Sequence, residues 1–225
     1  MTTRTTTRSR PRTPLTRERV LAAAMKLADA GGLEALSMRK LGQALGVEAM
    51  ALYYHFANKE RVLDGIVDLV FGEIELPAVG DEWKAAMRGR AISVRDALLR
   101  HRWAIGLMES RTNPGAANLR HHDAVIGCLR AAGFDMAATA TAYSLLDSYI
   151  YGYAMTKMNL PFDDTSDIVE MSETMLAPFA PGEYQNLVDF LTEHAMKPGY
   201  DYADEFERGL DVILDGIERA RDPAN

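Results

Sequence analysis

Residues 37–59 read Ser-Met-Arg-Lys-Leu-Gly-Gln-Ala-Leu-Gly-Val-Glu-Ala-Met-Ala-Leu-Tyr-Tyr-His-Phe-Ala-Asn-Lys. Ser37 is a good helix N-cap, and Leu41 and Leu45 fall on one inward face. Gly46 permits a left-handed turn. A second short helix follows over 48–56 and ends in aromatics, and Asn58 caps the next helix just before Lys59. Two short helices joined this closely expose the second as a rod narrow enough for the DNA major groove.

The flanking sequence agrees. Thr16 caps a first helix that runs to about residue 30, where Gly31 and Gly32 end it. Its Val20, Ala23, Ala24, Leu27 and Ala28 follow the helical period. Helix 59–75 carries Val62, Leu63, Ile66, Leu69 and Val70 on one face. Residues 76–80 are a break, and Asp81 is read as the cap of a long helix to about 102. Further helices are expected at 105–110, 116–132, 136–158 (capped by Asp135), 183–196 and 202–221. No stretch reads as a strand. The fold class is all-α: a three-helix head with a helix-turn-helix over 15–62 and a larger helical body over 63–225. Residues 1–14, with Arg4, Arg8, Arg10 and Arg12 among Thr, Ser and Pro, read as a disordered basic arm.

Charge separates the two parts. The chain has 225 residues and a net charge of −7, yet residues 1–62 hold 11 Lys and Arg against 5 Asp and Glu, a balance of +6. The remainder holds 14 against 27, a balance of −13. A basic head on an acidic body suits contact with phosphate at one end only. Cys128 is the single cysteine, which excludes a disulfide framework and a cysteine-based metal site. No apolar run approaches the roughly 20 residues needed to span a bilayer. No signal core opens the chain. A cytoplasmic protein without a membrane partner is expected.

In the head, Ala49, Met50 and Ala51 are short or unbranched. They let a recognition helix sit deep in the groove against thymine methyls. Tyr53, Tyr54 and His55 lie one turn later, within reach of phosphates. Arg39 could pair with guanine or clamp a phosphate, and Lys59 adds charge at a helix N-terminus. Leu52 and Phe56 are assigned to the core.

Gly31-Gly32-Leu33-Glu34-Ala35-Leu36-Ser37-Met38-Arg39-Lys40-Leu41, followed by Leu52-Tyr53-Tyr54-His55-Phe56 and Asn58-Lys59, closely resembles the DNA-binding head of the TetR family of bacterial repressors. The segments 76–83, 95–102 and Gly133-Phe134 resemble the body of its tetracycline-responsive branch. The resemblance covers about 15–158. It implies a homodimer whose body binds an inducer, whose heads then move apart, and whose operator affinity falls. It also implies that Ser37, Arg39, Ala49, Met50, Ala51, Tyr53, Tyr54, His55 and Lys59 face DNA. In the tetracycline branch an Asn, a Phe and a magnesium-ligating His hold the drug. Those positions fall here at Arg90, Val94 and Met108 or Glu109, so that three-part site is absent.

The equivalent space reads as apolar and aromatic: Val94, Trp103, Met108, Val125, Ile126, Tyr143, Tyr151 and Met155. Arg90, His122 and Asp147 are its polar candidates. Asp147 sits mid-helix among apolar residues and needs a partner, for which Arg90 or a ligand donor would serve. His121-His122-Asp123 does not chelate well, because adjacent helical residues point about 100° apart. No metal or other cofactor is expected. A dimer is expected through the 135–158 and 202–221 helices, with the stripe of Phe206, Leu210, Ile213, Leu214 and Ile217, and Gly209 and Gly216, at the seam. No Ser/His/Asp set or phosphate loop supports an enzyme. A ligand-responsive repressor on a palindromic operator, released by a small, largely apolar or aromatic inducer, is the leading expectation. A DNA-binding regulator controlled by abundance or by a protein partner is the alternative.

Overall fold

The computed structural model describes residues 14–78, 80, 82–162, 165–180 and 182–221. The basic arm up to residue 13 and the cap expected at Asp81 lie outside the described residues. Among the described residues the fold has ten α-helices and no strand. They are α1 (Arg17–Ala35), α2 (Met38–Leu45), α3 (Ala49–Tyr53), α4 (Lys59–Gly72), α5 (Trp83–Arg100), α6 (Ala116–Ala131), α7 (Met136–Asn159), α8 (Thr165–Leu176), α9 (Gln185–Phe190) and α10 (Tyr202–Arg221).

Local chemistry sets the starts. The side chains of Thr16, Ser37, Asn58 and Asp135 accept from Arg19, Lys40, Arg61 and Ala138 N–H groups, so each fills an orphan donor of a first turn. The cap of α5 is Glu82, whose carboxylate accepts from Lys84 N at 3.0 Å and Ala85 N at 2.8 Å. Within α1 the helical geometry breaks at Gly31 and at Gly32, where φ is +67°. The expected stop is therefore there, and one further turn follows it.

α3 is shorter than expected. Its last turn is closed by Phe56 N–H donating to Leu52 O, and Arg17 donates to the His55 carbonyl while its guanidinium lies 4.2 Å from the Phe56 ring centroid. The stretch expected to be a helix at 105–110 is instead a 3-10 turn, Arg102–Ala104, followed by further i→i+3 bonds from Leu107 N to Ala104 O and Ser110 N to Leu107 O.

The head packs Val20, Ala24, Leu41, Leu52 and Phe56 into one core. Gly42 permits the close approach of α2 and α3. A Cβ there would lie 2.8 Å from Val47 O and 3.2 Å from Ala49 N, both backbone atoms. α4 then runs into the body, where α5, α7 and α10 form the main layer and α6 lies against α4. Tyr149 stacks on Phe206 and Tyr153 on Tyr202, and their hydroxyls donate to the carbonyls of Phe206 and Tyr202. Lys84 bridges Asp215 and Glu218, and Arg88 bridges Glu207 and Asp211, along the α5–α10 seam.

This arrangement corrects the expected dimer stripe. Phe206, Leu210, Leu214 and Ile217 are buried within their own chain, and Ile213 packs on the same core. Gly209 makes room for the Tyr149 hydroxyl, which a Cβ would meet at 2.2 Å, while Gly216 has only the Arg219 side-chain end within 4 Å. The stripe was a true amphipathic face, and α5 and α7 of the same chain cover it.

Alanine is the better helix former by about 1 kcal/mol. Even so, Gly42→Ala is expected to destabilise the head by about 1–3 kcal/mol, because its Cβ meets backbone that cannot swing aside. Urea unfolding followed by circular dichroism checks this, and an unchanged or higher midpoint would show that α2 and α3 separate freely.

Candidate DNA and ligand sites

The face expected from the sequence to meet DNA is open. Met50 is 72% exposed and Tyr54 91%, while Tyr53, Arg39 and Lys40 are also exposed. Ser37, Ala49, Ala51 and His55 are half-buried. Ser37 is engaged as the cap of α2, and the Ala49 backbone abuts Gly42. Lys59 is drawn inward. Its Nζ donates to the Leu33 carbonyl at 3.3 Å, tying the start of α4 to the turn after α1.

The head is fixed to the body by short polar contacts. Asp29 on α1 accepts from the Trp103 indole N–H at 2.6 Å and pairs with His101 Nδ1 at 2.7 Å. The other ring nitrogen of His101 faces Glu73, just beyond α4, which also accepts from Arg100. Arg111 bridges Asp64 and Glu60 of α4, and Asp68 of α4 accepts from Asn118 N in the first turn of α6. Trp103 thus sits at the head–body junction rather than with the other residues expected to line a ligand space.

Those other residues divide. Arg90 of α5, His122 of α6, and Tyr143, Asp147 and Tyr151 of α7 come together. Arg90 Nη2 donates to Asp147 Oδ1 at 2.6 Å, and Arg90 Nε donates to His121 Nε2 at 3.1 Å. His122 Nδ1 is hydrogen-bonded to the Tyr143 hydroxyl, and the Tyr151 hydroxyl donates to Glu109 at 2.6 Å. Val94, Met108 and Val125 are fully buried in the main core. Ile126, one residue and about 100° further round α6, is 41% exposed and points away. Met155 is also exposed.

His121 was not among the expected lining residues. Its signal lay in the period of α6, where Ala117, His121, Val125 and Cys128 form the buried stripe. Phe71 of α4 joins through ring contacts, 5.2 Å from His121 and 5.8 Å from His122. Among the described residues no group of three or more His, Cys, Asp or Glu side chains is arranged to hold a metal ion.

Burial governs the electrostatics of the cluster. It holds His121 down to about 3, with the Arg90 charge acting in the same direction, so the imidazole is neutral at physiological pH. Burial pushes the Tyr143 and Tyr151 phenols up, and the nearby Asp147 charge adds to this, so both stay protonated. Asp147 is pushed above its ordinary range by burial while the Arg90 guanidinium pulls it back. The Arg90 side chain is fully buried and that of Asp147 nearly so. Such a pair offsets much of its own desolvation, whereas one buried charge without its partner is costly. Asp147→Ala is therefore expected to cost about 3–5 kcal/mol in urea unfolding. Adding Arg90→Met should restore most of that loss, and a double variant no more stable than the single one would remove the ion pair as the cause.

Residues 20–66 match the model of the bacterial regulatory proteins of the tetR family, and 76–221 match the tetracyclin repressor-like C-terminal domain. The class C tetracycline repressor of Escherichia coli is 32% identical over 210 residues, 92% of each chain. A regulator described as HTH-type from Saccharopolyspora erythraea is 37% identical over 145 residues, which is 64% of this chain and 61% of that one. Among solved structures, the TetR-family protein ActR of Streptomyces coelicolor in complex with actinorhodin superposes with a TM-score of 0.78 at 26% identity, over 94% of this chain and 99% of that one. With both parts of the molecule matched in order, the chain belongs to the TetR family of transcriptional regulators.

Proposed function

We propose that the protein is a repressor that binds a palindromic operator as a homodimer and leaves it when a small, largely apolar or aromatic inducer enters the body. The observation that carries this reading is the junction. Phe71 of α4 touches the polar cluster of the body, Asp64 and Asp68 tie α4 to Arg111 and to the first turn of α6, Gly65 of α4 packs on Leu21 of the head, and Glu73 just beyond α4 shares His101 with Asp29 of the head. A molecule at the cluster therefore bears on the helix that carries the head. That ActR was solved with actinorhodin, and a TetR variant of Acinetobacter baumannii with minocycline, supports an aromatic ligand of this kind. The cytoplasm is the proposed location, and among the described residues no helix is long and apolar enough to cross a membrane.

A second reading, control by abundance or by a protein partner, is favoured by the full burial of Val94, Met108 and Val125 in the main core. Titration against the DNA beside its own gene, with and without a library of apolar and aromatic compounds, separates the two. Release from DNA by some compounds supports the first reading, and release by none supports the second.

For the head, Tyr54→Ala is expected to leave stability unchanged within about 0.5 kcal/mol, because the side chain is exposed. It should weaken operator binding by roughly 1 kcal/mol per subunit, about thirtyfold for a dimer. Fluorescence anisotropy on operator DNA checks this, and unaltered affinity would take Tyr54 out of the DNA contacts.

For the dimer, the outward faces of α7 and α10 are proposed as the seam. Leu145, Gly152 and Met155 are exposed on α7, and Val212 is 69% exposed on α10. Two such helices from each chain would form a four-helix bundle about a two-fold axis. Val212→Asp is expected to shift sedimentation from dimer to monomer. Persistence of the dimer at micromolar concentration would place the seam elsewhere.

A further inference from the structure

We propose that His101 is a proton-controlled tie between Asp29 of the head and Glu73 just beyond α4. With both ring nitrogens protonated it holds the two carboxylates together, and with one proton gone it releases Glu73. The tie belongs to the fold and holds whatever the body binds.

His101 follows the last residue of α5 and is 7% exposed. Its ring nitrogens point in different directions, and each meets a carboxylate from a different element. Nδ1 lies 2.7 Å from Asp29 Oδ1 on α1. Nε2 lies 3.2 and 3.3 Å from the two oxygens of Glu73. An ionised carboxylate only accepts. Both contacts are hydrogen bonds only when the ring donates twice, and only the imidazolium does so. A neutral ring has one N–H and one lone pair, so one contact becomes acceptor against acceptor.

The other partners decide which contact is lost. Asp29 Oδ1 also accepts from the Trp103 indole N–H at 2.6 Å, which keeps α1 bound to the turn after α5. Glu73 has a second donor in Arg100 Nη2 at 2.8 Å, on a side chain that is 54% exposed and can follow it outward. The contact to Asp29 is also the shorter one. The neutral ring therefore keeps its proton on Nδ1 and turns a lone pair on Glu73. The charged groups that face the ring among the described residues are Asp29 of α1, Glu73 beyond α4 and, through Glu73, Arg100 of its own α5. Histidine is the side chain whose charge changes between about pH 5 and pH 8. Forming the tie takes up a proton, so it is present on the acid side and lost as pH rises through that range. A head held at α1 and at the end of α4 has less freedom to lose on DNA than one held at α1 alone, and a pre-organised surface binds more tightly. Loss of the proton should loosen the operator complex as well as the fold.

The test compares the full chain with its Glu73→Gln variant. A glutamine amide donates to the Nε2 lone pair of a neutral ring, so the contact survives and no longer needs the second proton. Asp29→Asn does the same from the other side and serves if the first variant fails to fold. Urea midpoints and operator affinities are read at about pH 6 and about pH 8.5, on either side of the histidine range. The other four histidines are common to all three proteins, so the difference between them isolates His101. The wild type is expected to lose about 0.5 M more in urea midpoint than either variant as pH rises. Its operator affinity, followed by fluorescence anisotropy, should fall by about threefold more than theirs. Nitrogen-15 spectra of labelled histidine should show His101 protonated on both nitrogens at the lower pH and on Nδ1 alone at the higher.

A midpoint that falls equally in wild type and variants overturns the inference, and so does a singly protonated His101 at the lower pH. A proton left on Nε2 at the higher pH overturns the release of Glu73. A midpoint difference with no difference in affinity overturns the reach of the tie to DNA.

Discussion

Helix α4 has to belong to two cores at once, and the rest of the architecture is arranged around that demand. Its first half lies against α1, where Gly65 leaves room for Leu21, and its second half lies against α6, where Gly72 faces Ala117 and Phe71 meets both histidines. A helix with apolar residues on both sides of its length cannot turn about its axis without exposing one set. Carboxylates along it and beyond it fix its depth: Asp64 to Arg111, Asp68 to the first turn of α6, and Glu73 to His101 and Arg100. Head and body are therefore mechanically continuous. Displacement of α6 or of Phe71 acts directly on α4.

The polar cluster of the body looks expensive against this background. An arginine with a fully buried side chain and a buried histidine occupy space that aliphatic side chains would fill at lower cost. The cluster draws on α4, α5, α6, α7 and the turn carrying Glu109, so its cost is borne at the meeting point of most of the body's helices. Groups that need defined partners fix relative positions more sharply than methyl groups do. A well-defined arrangement at such a junction is one that a bound molecule can alter in discrete steps.

Helix starts were legible in the sequence because a cap acts over three residues. Thr16, Ser37, Asn58 and Asp135 all cap as their spacing implies. Ends were less so, because distant residues set them. Arg17 closes the turn after α3 from 38 residues away, and the turns after α5 form where His101 and Trp103 reach Asp29. Lys59 looked free for phosphate, since nothing local shows that Leu33 O lies beside it. The stripe on α10 was read from its period, but a period does not say whether the surface that covers it belongs to the same chain. The run His121-His122-Asp123 hides the face of His121, because the residues that share it, Ala117 and Val125, are four positions away. Nothing within α2 marks Gly42, because its reason is the backbone of the next helix.

The division of charge between head and body has a consequence before any contact is made. Residues 1–62 carry +6 and the remainder −13, so the molecule is strongly dipolar along the direction from one part to the other. Near a polyanion such a molecule feels a torque as well as a force, because the field attracts one part and repels the other. Approach with the acidic part leading is rejected at a distance of about a screening length, roughly 8–10 Å at ordinary salt. Collisions with the genome are in effect sorted by orientation, and the fraction of encounters that arrive recognition helix first exceeds what random tumbling would deliver.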